Sequence, residues 1–203
     1  MSTQYGLQVT STYTAKEYSQ VVIVVKAGEK REIDRAGAKG LLAIQVQAGA
    51  ELVYTEYVQE AGLYHTYIYI EGENSTVSIV SKVMLSTGMA DISHKVFHSN
   101  KETVSHIQTR GVVSDNAEVI YTSEIRAEKN HTDIQGTEKA DFLVKDNARV
   151  SGIPALSIST DNVVCSHSLS IVPMSMEKIA YLHTKGYNRN EAEQILTDSF
   201  LDI

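Results

Sequence analysis

The chain's single thiol and an imidazole stand two residues apart, Cys165 and His167, on a stretch that also carries Val163, Leu169 and Ile171 at alternate positions. In an extended strand such positions share a face, with Cα atoms roughly 6.6 Å apart. Both side chains could therefore reach one metal ion or one partner surface. A protonated His167 would help to lower the pKa of the adjacent thiol and so favour the metal-ligating thiolate. An imidazole buried on this apolar face needs a hydrogen-bonding partner, from a neighbouring strand or from a second chain. The bland reading of Cys165 is a small core hydrophobe, because free cysteine is among the most buried residue types. One cysteine cannot make an internal disulfide or an all-thiolate cluster, so iron or zinc would need histidine, carboxylate or a second chain.

His94 and His98 resemble a metal pair at first sight. On a strand, however, four residues separate same-facing groups by roughly 13 Å, too far for one zinc with ligands at about 2.0 Å. They read as surface or strand-stacking histidines, with His106 placed to stack near one of them on the next segment. His65, His131 and His183 have no evident partner in the sequence. No Gly-x-x-x-x-Gly-Lys-(Ser/Thr) loop is present to hold phosphates. A polysaccharide-cleaving groove would need clustered carboxylates and arginines, and the acidic residues here are scattered. Acidic residues exceed basic ones by 25 to 18, for a formal charge of −7 with no basic stripe, which argues against a nucleic-acid partner. The longest apolar run, Val21 to Val25, is strand-sized and far short of a membrane span. The first residues have no basic start leading into an apolar stretch, so a cytoplasmic location is expected.

The elements that must position these residues are mostly short strands. From about Val21 to Ile171 apolar and polar residues alternate, as in Val77, Ile79, Val83, Leu85 and in Val119, Tyr121, Ile125. Similar small-polar entries open the runs at Gly49, Asn74, Met89, Asn116, Asn147 and Asn162, at intervals of 25, 15, 27, 31 and 15 residues. These approximate single and double multiples of one half-repeat, and the segments at 103–107 and 131–134 fill the doubled gaps. A solenoid of stacked rungs fits this pattern, and an antiparallel sandwich also gives many short strands with turn signals. Asn116 and Asn147 suit corners, because asparagine tolerates left-handed backbone.

After Pro173 the period becomes helical. Ser175 is placed as an N-cap, Ile179 and Leu182 share a face, and Gly186 can end the helix. Asn188 with Glu191 has the form of a capping box ahead of Ala192, Ile195, Leu196 and Phe200. The resulting two-helix tail is either a lid over an open solenoid end or a docking knob.

Several segments together resemble the SufB/SufD family of iron-sulfur cluster assembly proteins, SufD more than SufB. They are Asp161-Asn162-Val163-Val164-Cys165-Ser166-His167-Ser168, then Met176 through Tyr181-Leu182-His183-Thr184-Lys185-Gly186, then Glu191-Ala192-Glu193-Gln194-Ile195-Leu196. Gly111 to Ala117 and Phe142 to Ala148 look like upstream rungs of the same family. The resemblance implies a mainly β fold, a right-handed parallel β-helix with a small C-terminal helical subdomain. The expected division is an N-terminal extension 1–20, a core 21–172 and a two-helix unit 173–203. It implies a scaffold subunit, not an enzyme, that pairs through the β-helix with a SufB-like chain or with itself. A SufC-like ABC-type ATPase would dock on the helices, through Ile179, Leu182, Gly186, Ile195 and Leu196. His167 takes the position of the SufD histidine thought to face the pairing interface, with Cys165 as a second candidate. Lys139 falls where SufB carries its cluster cysteine, and the long N-terminal region of full-size members has no counterpart here. No tightly bound cofactor is expected, and a transient iron-sulfur cluster would need ligands from a partner chain. The alternative function is a solenoid that keeps the docking role without cluster chemistry.

Overall fold

The computed structural model describes residues 21–202; the expected N-terminal extension 1–20 lies outside them. The alternation of apolar and polar residues becomes an alternation of burial. In Thr76–Leu85, for example, Val77, Ile79, Val83 and Leu85 are buried, Ser78, Val80 and Lys82 face outward, and the buried Ser81 lines a polar seam. Among the described residues twelve strands form: β1 (Val21–Val25), β2 (Lys30–Ala36), β3 (Gly40–Val46), β4 (Glu51–Val58), β5 (Gly62–Ile70), β6 (Thr76–Leu85), β7 (Met89–His98), β8 (Val104–Val113), β9 (Glu118–Ala127), β10 (Ile134–Val144), β11 (Arg149–Ile158) and β12 (Val163–Pro173). Helices α1 (Met176–Thr184) and α2 (Arg189–Leu201) follow.

Odd and even strands fall into two separate parallel sheets, in the orders β1-β3-β5-β7-β9-β11 and β12-β10-β8-β6-β4-β2. Each strand pairs with the one two places on, so the chain coils through about five turns. This is the solenoid, and the all-parallel pairing rules out the antiparallel sandwich. The rung lengthens along the chain, from 21 residues between Val21 and Leu42 to 31 between Tyr121 and Gly152. The half-repeat seen in the sequence is thus one side of a rung.

The corners are tight turns that need left-handed backbone. Asn74 and Asn162 supply it, as do Asp115 (φ 56°) and Asp146 (φ 58°). The expectation for Asn116 and Asn147 was therefore one residue late: the preceding aspartate adopts the positive φ, a conformation Asp shares with Asn because its short polar side chain bonds locally.

The core divides into two apolar columns. One holds Ile44, Ile68, Val96 and Ile125 with Leu52, Val77, Ile79 and Ile107; the other holds Tyr64, Ile92 and Tyr121 with Val83, Val113 and Phe142. Between them runs a ladder of polar side chains, Thr66, His94 and Ser123 from one sheet and Glu56, Ser81 and Thr109 from the other. Such a seam is stable only where its groups bond one another.

The tail is not a lid over the open end. Arg110, on β8, donates to the carbonyls of Phe200 (3.0 Å) and Asp202 (2.8 Å), and Lys145 pairs with Glu193 (2.6 Å). The hairpin thereby lies along the outer face of the even-strand sheet. Beyond the cleft that Val150 and Ile171 share with the hairpin, β11 and β12 stay uncovered, with Ile153 71% and Val164 74% exposed.

Candidate functional site

Among the described residues, the last rung ends in two strand edges with no strand beyond them, β11 in one sheet and β12 in the other. They span ten and eleven residues and carry a single charged side chain, Arg149. At the opposite end β2 carries Lys30, Arg31, Glu32, Asp34 and Arg35, whereas β1, the edge of the other sheet, is uncharged. Charged residues on an edge discourage pairing, and a long uncharged edge invites it.

On β12, Cys165 and His167 do share a face, opposite Gly136 and Glu138 of β10. They differ in environment. Cys165 is half-buried and packs on the first apolar column. Gly136 permits this approach, since a Cβ there would stand 3.1 Å from Sγ. Burial pushes the thiol pKa up, and a backbone contact at Gly136 only partly offsets this. The expected thiolate promoted by His167 is not supported, because His167 is absent from the influences on the thiol. His167 itself is exposed rather than buried, since no further rung covers it.

The side chain that faces the interior beside His167 is Glu138. It is 3% exposed, and burial holds its carboxyl above the usual carboxylate range. Tyr121 donates to its Oε1 at 3.0 Å. The Ser123 hydroxyl and the Ser168 amide flank the carboxyl, yet Oε2 completes a hydrogen bond with neither. Lys139, by contrast, points outward and pairs with Asp141 at 3.4 Å. By strand parity 138 shares the inward face with 136 and 140, so the side chain next to His167 across the rungs is that of Glu138.

Deeper along the seam, Glu56 accepts from Tyr54 (2.8 Å) and Ser81 (3.3 Å), and His94 Nε2 lies 3.0 Å from Glu56 Oε2. Burial opposes the Glu56 charge, but the bonds from His94 and Tyr54 outweigh it and hold the carboxyl below its ordinary range. Arg35 and Thr66 extend the network towards β2. His94 and His98 are fully buried, which corrects the surface reading. His98 is clamped between Thr103 and Ser105, each at 2.8 Å. His106 sits with Thr137 on the outer face of β8, opposite the face on which Ser105 holds His98. His65 meets Asp91 at 3.1 Å, and His183 meets the Tyr187 carbonyl at 2.9 Å.

In the hairpin, Ser175 caps α1, and Asn188 with Glu191 closes a capping box on α2. Gly186 takes φ 94° in the turn between them. Ile179 is buried, Leu182 and Leu196 are half-buried, and Ile195 is exposed. Ile179 thus supports the hairpin, lining a cleft of about 720 Å³ with Val150, Ile171 and Arg189. The surface on offer is Ile195 with Tyr187, beside the exposed Tyr181. Among the described residues, no group of three or more His, Cys, Asp or Glu side chains could hold a metal ion.

The family model described as SUF system FeS cluster assembly, SufBD core domain, matches residues 13–200. The chain belongs to the SufBD family. It is 29% identical over 140 residues to the iron-sulfur cluster assembly protein SufD of Escherichia coli K12, covering 68% of this chain and 33% of that protein. A SufBD family protein of Staphylococcus saprophyticus is 24% identical over 133 residues, 64% of this chain and 29% of the relative. One from Synechocystis is 34% identical over 59 residues, 29% of this chain and 13% of the relative. The matched part spans about a third or less of each relative.

In this SufBD chain the sequence located the terminal strand and its inward face. It missed Glu138 and the polar seam, because a lone carboxylate in an alternating strand reads as solvated until the register shows which side it faces.

Proposed function

We propose that the chain is a scaffold subunit in iron-sulfur cluster assembly, pairing through the uncovered β11–β12 end and docking an ABC-type ATPase on its helical hairpin. The observation that carries this reading is the double edge, charged only at Arg149, with His167 exposed on it and Glu138 beside it. A second chain, SufB-like or a copy of this one, would satisfy the free edge groups and supply the further ligands that a cluster, handled as cargo, requires. The imidazole of His167 would contribute one nitrogen; Cys165, directed at the core as a neutral thiol, contributes packing. The ATPase would contact Tyr187 and Ile195.

Anaerobic co-expression with a SufB-like chain and a SufC-like ATPase tests both parts. His167→Ala should leave the complex intact and lower its iron and acid-labile sulfide several-fold. Ile195→Glu should release the ATPase while the β-strand spectrum stays unchanged. A second reading, an interaction module without cluster chemistry, is favoured by the inward, protonated Cys165. It predicts an intact complex whose iron and sulfide do not respond to His167→Ala.

A further inference from the structure

A side chain that strand parity points outward is buried only where something lies over the sheet. On the even-strand sheet the cover is plain. Val112 and its register partner Leu143 point outward and are 4% and 7% exposed, and Leu143 shares a cleft with Leu196 and Phe200 of the hairpin. On the odd-strand sheet Leu42, Ile44, Ile68, Ile92 and Val96 face the core, so Ala43, Gln45, Tyr67 and Ser93 face outward. Yet Ala43 is 2%, Gln45 7%, Tyr67 6% and Ser93 2% exposed. These positions form one patch, for Ala43 is the register partner of Tyr67, and Ser93 that of the buried His65. Val22, the partner of Ala43 on β1, is 50% exposed on the same face. Neighbours within a sheet shield one another only from the sides. Among the described residues the two helices pack on each other and on β8, in the other sheet, which leaves this patch without a helix over it.

We propose that the outer face of β3, β5 and β7 is a docking surface whose occupant is residues 1–20 of this same chain. Position favours them. Residue 203 adjoins Asp202, which Arg110 holds on the even-strand sheet, whereas residue 20 leads into Val21 at the start of β1, in the sheet that carries the patch. Reach is ample: β7 lies three strands from β1, about 14 Å, and twenty residues extend to about 66 Å. The chemistry also matches. Tyr5, Leu7, Val9 and Tyr13 share one parity among uncharged polar residues, and Lys16 and Glu17 are the only charged side chains of the segment. Such a pattern suits contact with a sheet face. Ala43, Gln45 and Ser93 at the centre of the patch are likewise uncharged, with Asp91 and Lys95 flanking Ser93 on the same face of β7. This strap stands apart from the pairing and the ATPase docking proposed above.

Disulfide trapping in the full chain tests it, because the bond forms only where two Cβ atoms come within about 4 Å. In a Cys165→Ser background, one cysteine replaces Tyr5, Leu7, Val9, Ser11 or Tyr13 in turn, and the second is Ser93→Cys, a one-atom change at the patch. The same five are paired with Ser78→Cys on the outer face of β6 as the control. A tethered segment that docks nowhere meets both sites at similar effective concentration. Docking predicts that, at one or more of the five positions, diamide closes the disulfide to position 93 about tenfold faster than to position 78, in a product of monomer mass. Leu7→Glu with Val9→Glu, read with the cysteine at Ser11, should bring the two rates together while circular dichroism keeps its β-strand signature. Equal rates at all five positions overturn the proposal. So does a position-93 product of twice the monomer mass, which would give the patch to a second copy.

Discussion

At the scale of single residues, burial decides what each ionisable group does. His98 has both ring nitrogens bonded to hydroxyls and no carboxylate among the causes of its shift. Burial lowers its pKa from 6.5 to about 4. A depressed histidine stabilises the fold in its neutral form, so its contribution is complete above pH 6.5 and drains away as pH falls towards 4. Urea unfolding at pH 7 and pH 4.5 should show this: His98→Gln lowers stability at pH 7 and removes about 2 to 3 kcal/mol of the acid loss. An acid limb of unchanged depth in the variant would contradict the assignment. None of this was readable beforehand. The alternation of the strand placed His94 and His98 on one face without saying that the face was interior. The same blindness hid Glu138, whereas the shared face of Cys165 and His167 needed only strand parity.

At the scale of elements, the caps and corners were the most legible features, because they depend on local chemistry. Ser175, Asn188 with Glu191, and Gly186 act as read. The corner residues slipped by one position, since Asp and Asn tolerate the same backbone and an Asp-Asn pair does not reveal which of the two turns. Where the hairpin lies was not legible, for it depends on long-range contacts, those of Arg110 and the Lys145–Glu193 pair among them. The Arg110 guanidinium meets the carbonyl end of α2, where helix dipole and free carbonyls favour a cation, and it also covers the Phe200 ring. Arg110→Ala should loosen α2 by about 1 to 2 kcal/mol. Amide exchange would then quicken about tenfold in α2 and stay constant in β3 to β9. Unaltered exchange in α2 would show that the cleft contacts alone hold the hairpin.

At the scale of the whole molecule, the two ends of the solenoid are chemically unlike. Parallel rungs satisfy one another internally, so the cost of an unpaired edge falls on the first and last turns. At one end β2 carries five charged residues beside the uncharged β1, while at the other β11 and β12 carry Arg149 alone and expose Ile153 and Val164. Repeat spacing made the solenoid legible alongside a sandwich, and parallel pairing decides between them. Which end lies open was not in the spacing, because it follows from where the hairpin packs. Backbone hydrogen exchange in the anaerobically co-purified complex, compared with the chain alone, tests pairing most directly. The account predicts new protection in β11 and β12, including the amides around His167, with β1 and β2 unchanged; protection confined to the β1–β2 end, or none at β12, would contradict it.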